Sequence, residues 1–284
     1  MPWTIPADAP HLPRRIGDMR IATWNINSLR ARMDRVLAFL ERHEVDVLAL
    51  QEIKAKPAQL DLTALEAAGY EVAAHGLNQW NGVALISRVG LSDVRTELPE
   101  VPTWPEDETG VVEARALGGI VGDGLRIWSL YVPNGRELDH PHYGYKLRWL
   151  EALRAEGARE LAADPDARSV LVGDFNVAPL DEDVWDMDFF EGKTHVTEPE
   201  RAAFRAVVDG GFADVVRPEH PGPGVYTYWD YQALRFPKKE GMRIDFVLGS
   251  PAVQKAVTGS FIDREERKGK GASDHAPVVV DLEL

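Results

Sequence analysis

The chain has 284 residues, 44% of them hydrophobic and 27% charged, with no cysteine. That is the composition of a soluble globular protein long enough for a sizeable core. It excludes disulfides and thiolate metal sites, and no apolar run approaches the ~20 residues of a membrane span. The net charge of −14 and the pI near 5.0 argue at first sight against a nucleic-acid partner. Bulk charge says little about one face, however. Basic residues cluster at Arg30, Arg32 and Arg35, at Lys54 and Lys56, and at Lys146 and Arg148. Two further clusters are Arg235, Lys238, Lys239 and Arg243, and Arg264, Arg267, Lys268 and Lys270. The lack of cysteine suits a reducing cytoplasm.

Residues 1–18 carry four prolines and no apolar signal core, so they are expected to form a flexible tail ahead of one domain over residues 19–284. Met19 to Trp24 reads as a strand running into Asn25-Ile26-Asn27. Ser28 is a suitable N-cap for a helix with Met33, Val36, Leu37 and Leu40 at helical spacing. Val45 to Leu50 reads as a strand buried on both faces, ending in Gln51-Glu52 with Lys54 two residues on. A helix over 59–68, a strand over 70–74 and a strand over 81–87 follow. Residues 111–117 and 125–132 are expected to form a hairpin about a glycine-rich turn at 118–124. Its second strand ends in Tyr131-Val132-Pro133-Asn134-Gly135-Arg136.

A long amphipathic helix is expected over 143–163, then an apolar strand over 169–172. That strand delivers Asp174 and Asn176 through Gly173, where the lost side chain suggests a close backbone approach. Residues 177–200 make a long acidic connection, a length that usually signals function. Tyr226 to Tyr231 holds four aromatics in six residues beside basic side chains, the texture either of a core strand or of a nucleic-acid surface. Residues 243–248 read as a strand with Asp245 in its interior, where a carboxylate needs a partner; His275 is the evident candidate. Residues 252–260 and 278–282 read as the last strands.

Polar groups therefore recur at strand ends: Asn25, Glu52, Tyr131, Asp174, Asn176, Asp274 and His275. Alternating strands and helices could bring them to one rim of a layered α/β domain. Such a rim suits phosphate-ester hydrolysis with a hard divalent cation. In that chemistry His275, oriented by Asp245, handles a proton or a phosphate oxygen.

The ordered segments WNIN, LQE, NGVAL, YVPNG, GDFN, RIDF and SDHAP resemble the exonuclease III family of AP endonucleases, within the endonuclease/exonuclease/phosphatase superfamily. The resemblance runs from about Met19 to the C-terminus. It implies a DNase I-like, four-layer α/β sandwich, with two mainly antiparallel β-sheets packed face to face and helices outside. It implies a monomeric, cytoplasmic DNA-repair nuclease with Mg²⁺, or Mn²⁺ in its place, acting on double-stranded DNA with abasic sites or 3′ ends. The reactions would be hydrolysis 5′ to abasic sites, 3′–5′ exonuclease and 3′-phosphatase or 3′-phosphodiesterase activity.

By position the resemblance implies a metal site of Glu52, Asn25 and Asp274 with Asp174 and Asn176. The catalytic group would be Tyr131, Asp174, Asn176, Asp245 and His275. Substrate contacts would come from Lys54, Arg136, Tyr228, Trp229, Met242 and Ile244, the last four forming a pocket for a deoxyribose without its base. Asn27 stands where some relatives carry Asp. The rival readings are a phosphatase or phosphodiesterase acting on a small molecule or lipid headgroup, and a catalytically silent scaffold. Retention of all the acids and of the histidine disfavours the scaffold.

Overall fold

The structure is a computed structural model and describes residues 18–105 and 107–284. The expected tail lies outside the described residues apart from Asp18, which opens the first strand. Strands β1 (Asp18–Asn25), β2 (Val47–Gln51), β3 (Glu71–His75), β4 (Val83–Ser87), β5 (Leu91–Arg95) and β6 (Ala116–Val121) occupy the first half of the chain. β7 (Leu125–Tyr131), β8 (Ser169–Asp174), β9 (Ala213–Asp214), β10 (Asp245–Gly249), β11 (Val257–Ile262) and β12 (Val278–Glu283) complete the set. One six-stranded sheet has the order β11, β12, β1, β2, β4, β3; the other has β5, β6, β7, β8, β10, β9.

Side-chain alternation along these strands builds four layers. In the first sheet Ile21, Val47, Ala49, Val83, Leu85, Val278 and Val280 face inward. They meet Leu117, Leu125, Ile127, Val170, Val172 and Val247 of the second sheet in one buried cluster. The intervening residues face outward. Ala22, Trp24, Leu48, Leu50 and Ile86 pack with Val36, Phe39 and Leu40 of helix α1 (Leu29–His43) and Leu65 of α2 (Thr63–Ala67). On the far side Trp128, Leu130, Leu171, Phe246 and Leu248 pack with Tyr145, Trp149, Leu150 and Leu153 of α3 (Pro141–Ala163).

Each sheet contains one parallel pair, β1 with β2 and β7 with β8; the other pairings are antiparallel. The parallel pairs place the C-terminal ends of β1, β2, β7 and β8 together. The antiparallel partners β10 and β12 bring their N-terminal ends to the same place: Asp245 sits opposite Asp174, and Val278 opposite Thr23. The polar strand ends therefore share one rim.

Several local expectations are corrected. β6 begins at Ala116, not residue 111, and Gly118 and Gly119 belong to the strand. A Cβ on Gly118 would lie 2.8 Å from the Trp128 ring, and one on Gly119 2.7 Å from Leu91. These glycines make room for packing; the turn is only residues 122–124. Residues 252–260 form a short helix (Pro251–Ala256) followed by β11. The helix expected over 59–68 is a single turn at Pro57–Gln59 and then α2. Ser28 precedes α1 with a φ of 91°, and its side chain makes no capping hydrogen bond.

Gly173 is in β8 with φ 144°, and a Cβ there would collide with the Leu130 backbone carbonyl. Gly173→Ala is expected to cost about 3 kcal/mol of stability, since backbone cannot yield as a side chain can. Gly124→Ala, with φ 97° and no heavy atom within 4 Å of the new Cβ, should cost only ~1 kcal/mol. Denaturant midpoints of the two variants would test this, and equal midpoints would refute it.

Candidate active site

The rim is held together by hydrogen bonds between residues far apart in sequence. His275 Nδ1 lies 2.9 Å from Asp245 Oδ2, and its Nε2 lies 3.8 Å from Asp174 Oδ2. The Asn25 amide donates to Glu52 Oε1 at 2.8 Å on its own sheet and, across the gap between sheets, to Asp174 Oδ2 at 3.0 Å. Its oxygen accepts from the Asn27 backbone at 3.1 Å. Asn25 thus bridges the two carboxylates with its nitrogen instead of presenting its oxygen to the space between them. Lys54 Nζ reaches Glu52 Oε2 at 2.8 Å and Asn27 Oδ1 at 2.6 Å. Asn27 in turn donates to Asp274 Oδ1 at 3.0 Å.

Asn27, Glu52, Lys54 and Asn176 all have positive φ, between 46° and 51°. Left-handed backbone at non-glycine residues is held only where the surroundings over-determine it, and it gathers at functional sites.

The Glu52 carboxylate is near enough to the Tyr131 phenol to help raise its pKa, and the Arg115 guanidinium sits 4.7 Å from the centre of its ring. Arg115 is itself paired to Glu113 at 2.6 Å. Asn176 has both ends of its amide engaged: Nδ2 donates to Val132 O at 2.9 Å, and Oδ1 lies 3.0 Å from His195 Nε2. Its backbone N–H donates to Asp174 Oδ1 at 2.9 Å.

Burial and charge set unusual protonation states. Burial lifts the Asp174 pKa, the charges of Asp245 and Glu52 add to the rise, and His275 and Asn25 only partly offset it. Burial would depress His275, but the charge and hydrogen bond of Asp245, with Asp174 and Asp274, outweigh it and raise the imidazole. Burial would raise Glu52, yet Lys54 and Asn25 hold it below the usual carboxylate range. Burial, with the charge of Glu52, keeps the Tyr131 phenol protonated well above its ordinary range. The rim therefore combines an imidazolium, an ionised Glu52, a protonated phenol and a carboxyl group poised to exchange a proton.

Tyr228, Met242 and Ile244 gather in one apolar cluster with Ala178, Val184, Phe190 and Val196. The Tyr228 ring is 4.9 Å from that of His275. Trp229 is not part of this cluster. It is 2% exposed in the core between the sheets, because adjacent residues of an extended chain point opposite ways. Arg136 lies at the outer edge, where its Nη1 is 3.2 Å from His140 Nε2 and its guanidinium 5.8 Å from the Trp104 ring. Arg32 and Arg35 clasp residues 266–272, and Arg267 covers the Tyr231 ring. Two basic clusters distant in sequence thus meet beside Asn27, whose carbonyl Arg32 also contacts. Lys146 and Arg243 do not serve a basic surface. Lys146 is buried against Glu200, and Arg243 against Asp183 and Asp214.

A model of the endonuclease/exonuclease/phosphatase family matches residues 22–275. The chain belongs to that family. It is 27% identical over 272 residues to the exodeoxyribonuclease of Bacillus subtilis, covering 94% of this chain and 100% of that relative. It superposes with a TM-score of 0.86 on the 3′–5′ exonuclease NExo of Neisseria meningitidis, 36% identical over 94% of this chain and all of the other. It superposes equally, at 35% identity and the same coverages, on a 3′ phosphatase NExo from Neisseria bound to a product DNA hairpin. Within the family it groups with the exonuclease III and AP endonuclease branch, and two six-stranded mixed sheets with helices outside give it the DNase I-like fold.

In this member of the family, a carboxylate oxygen of Glu52, one of Asp174 and a ring nitrogen of His275 lie within 4.8 Å of one another. Asp245 Oδ1 is buried with no hydrogen-bond partner among the described residues. A cluster of carboxylate oxygens short of positive charge fits a hard divalent cation. Asp274 lies one step out, tied to Asn27.

The motifs did not include His195, Arg115 or Lys146 as parts of the site. Lys146 could have been found, since it falls among Tyr145, Trp149, Leu150 and Leu153 on the buried face of α3. His142 on the same helix accepts from Gly135 N at 3.2 Å through Nδ1. Burial, then Arg115 and Arg136, lower its pKa from 6.5 to about 3. Between those values the unfolded chain binds a proton that the folded chain does not, so this stability is full above 6.5 and is lost as pH falls toward 3. Melting temperature should accordingly drop from about pH 7 to about pH 5. The drop should be shallower for His142→Asn, which keeps an acceptor for Gly135 without a titrating ring. An unchanged slope would contradict the assignment.

Proposed function

We propose that the protein is a DNA-repair nuclease of exonuclease III type. It hydrolyses the phosphodiester 5′ to abasic sites and acts from 3′ ends of duplex DNA as a 3′–5′ exonuclease and 3′-phosphatase. The observation that carries this reading is the Asp245–His275–Asp174–Glu52 cluster at the rim, with Tyr131 and an apolar wall on either side. Its chemistry is that of phosphodiester hydrolysis, and its relatives act on DNA.

Each side chain then has a task. His275, its Nδ1–H held by Asp245, directs Nε2–H at a non-bridging phosphate oxygen and offsets the charge that develops there. The Tyr131 phenol, kept protonated, donates to the same phosphate. Asp174, with its raised pKa beside His275, moves the proton of the reaction, which joins water to phosphorus and releases the 3′-oxygen of the preceding nucleotide. Asn176 orients the reacting oxygens. Mg²⁺, with Mn²⁺ able to replace it, fits the cluster around Glu52 and would neutralise phosphoryl charge there. Lys54 and Asn25 hold Glu52 ionised and in place, and Asn27 holds Asp274 beside it. Tyr228, Met242 and Ile244 make the apolar wall that receives a deoxyribose without its base; an intact nucleotide would bring a base that does not fit. Trp229 packs instead with Tyr226 and Phe236. Arg136 and the paired basic clusters contact the DNA backbone. The working form is a monomer.

The test is a labelled duplex carrying one abasic analogue. Incision 5′ to the analogue is expected only with Mg²⁺ present, and Asp174→Asn should lower the rate by at least ~100-fold. Incision should also fall steeply as salt rises toward ~0.3 M, since phosphate contacts release counterions. Full activity of Asp174→Asn would refute the role of that residue. Equal turnover of a soluble phosphomonoester, with a flat salt response, would favour a small-molecule phosphatase instead.

A further inference from the structure

His195 lies outside every motif of the rim, in the connection between β8 and helix α4 (Glu198–Asp209). Its backbone is left-handed, with φ 83°, and is pinned on both sides. Its N–H donates to Glu200 Oε1 at 2.9 Å, and its carbonyl accepts from Ala178 N at 2.7 Å. Lys146 ties the same Glu200 oxygen to the Asn176 backbone carbonyl, which accepts from Nζ at 2.6 Å.

The ring is held as firmly. Nε2 is 3.0 Å from Asn176 Oδ1, and Nδ1 is 2.9 Å from Thr194 Oγ1. The Asn176 amide has one possible orientation here, because its Nδ2 must face the Val132 carbonyl, 2.9 Å away. Its Oδ1 therefore faces the histidine, and a carbonyl oxygen only accepts. The Asn176 oxygen favours the hydrogen on Nε2, which also has the Asn134 Nδ2 at 3.5 Å, and leaves Nδ1 to accept from Thr194, whose hydroxyl also lies 3.4 Å from the Arg136 carbonyl. The residue is half-buried, and burial together with the charge of Lys146 lowers the ring's pKa to about 3.

We propose that His195 is a positioning residue for hydrolysis, whose Nε2–H locks the Asn176 amide beside Asp174. An asparagine amide has two N–H groups and two lone pairs on its oxygen. Val132 takes one N–H and His195 one lone pair. The rest of the amide is left to meet a reacting oxygen at a set angle, next to the Asp174 carboxyl that the Asn176 backbone N–H also holds. His195 touches no substrate. Its effect travels through Asn176, so it belongs in the rate of the chemical step and not in DNA affinity. The inference rests on the reading of Asp174 and Asn176 as the reacting pair.

The test compares steady-state incision of the abasic duplex by the full-length protein, His195→Gln and His195→Phe. Glutamine can place an N–H where Nε2–H stands, whereas phenylalanine fills the space and donates nothing. His195→Phe should lose about tenfold in kcat, the worth of one such hydrogen bond, with KM unchanged. His195→Gln should stay within about threefold of the wild type. Wild-type kcat in His195→Phe, an equal loss in both variants, or a change confined to KM would overturn the proposal. A separate readout needs no activity: nitrogen NMR of histidine-labelled wild-type protein should show His195 as the Nε2–H tautomer. If the wild type does not cut the duplex, the proposed function fails while the tautomer still decides this inference. If His195→Phe does not fold, the tautomer decides it again. An Nδ1–H tautomer overturns it in either case.

Discussion

Negative charge packed at one rim is the constraint on which the rest of the structure depends. Glu52, Asp174 and Asp245 converge there with few cations to offset them. Isolated buried carboxylates cost several kcal/mol each unless paired and hydrogen-bonded. The protein meets this cost from both sheets. Asn25 gives one hydrogen to Glu52 and the other to Asp174, so a single amide spans the layers. His275 takes Asp245 on one nitrogen and faces Asp174 with the other. Lys54 closes the outer side of Glu52. Charge remains in excess, and the proposed divalent cation would offset it.

Topology makes the crowding unavoidable. Two parallel strand pairs send four C-terminal ends to the rim, and two antiparallel partners begin there. Gly173 lets β8 press against the Leu130 backbone, which seats Asp174 beside Tyr131 in register. Just below the rim, a Thr23–Gln51–Ser129 hydrogen-bond chain links the sheets. Polar groups in the strands just beneath the site thus help set the sheets' relative position, while the apolar cluster between them supplies most of the stabilisation.

Much of this was legible in the sequence because its signals are local. A strand that ends in Asn, Glu or Asp can be read from its own few residues. The Asp245–His275 pair was legible across 30 positions because a carboxylate inside an apolar strand needs a partner. Residues whose meaning depends on packing were harder. Gly118 and Gly119 look like a turn until the Trp128 ring and Leu91 lie over them. Tyr228 and Trp229 look like members of one pocket by position, yet Trp229 lies in the core between the sheets and Tyr228 against Met242 and Ile244. His195 sits in a long acidic connection with no periodicity. Its importance lies in facing Asn176, and no spacing rule encodes that contact. The acidic total misled in another way: the basic residues that matter meet only after α1 folds back on residues 266–272.

The central claim is that Glu52 anchors a divalent-cation site within this cluster. It is tested most directly by calorimetric titration of Mg²⁺ into the wild type and into Glu52→Gln, with melting temperatures recorded alongside. The account predicts saturable binding that raises the wild-type melting temperature by mass action, and loss of both effects in Glu52→Gln. Equal Mg²⁺ binding by the two proteins would contradict it.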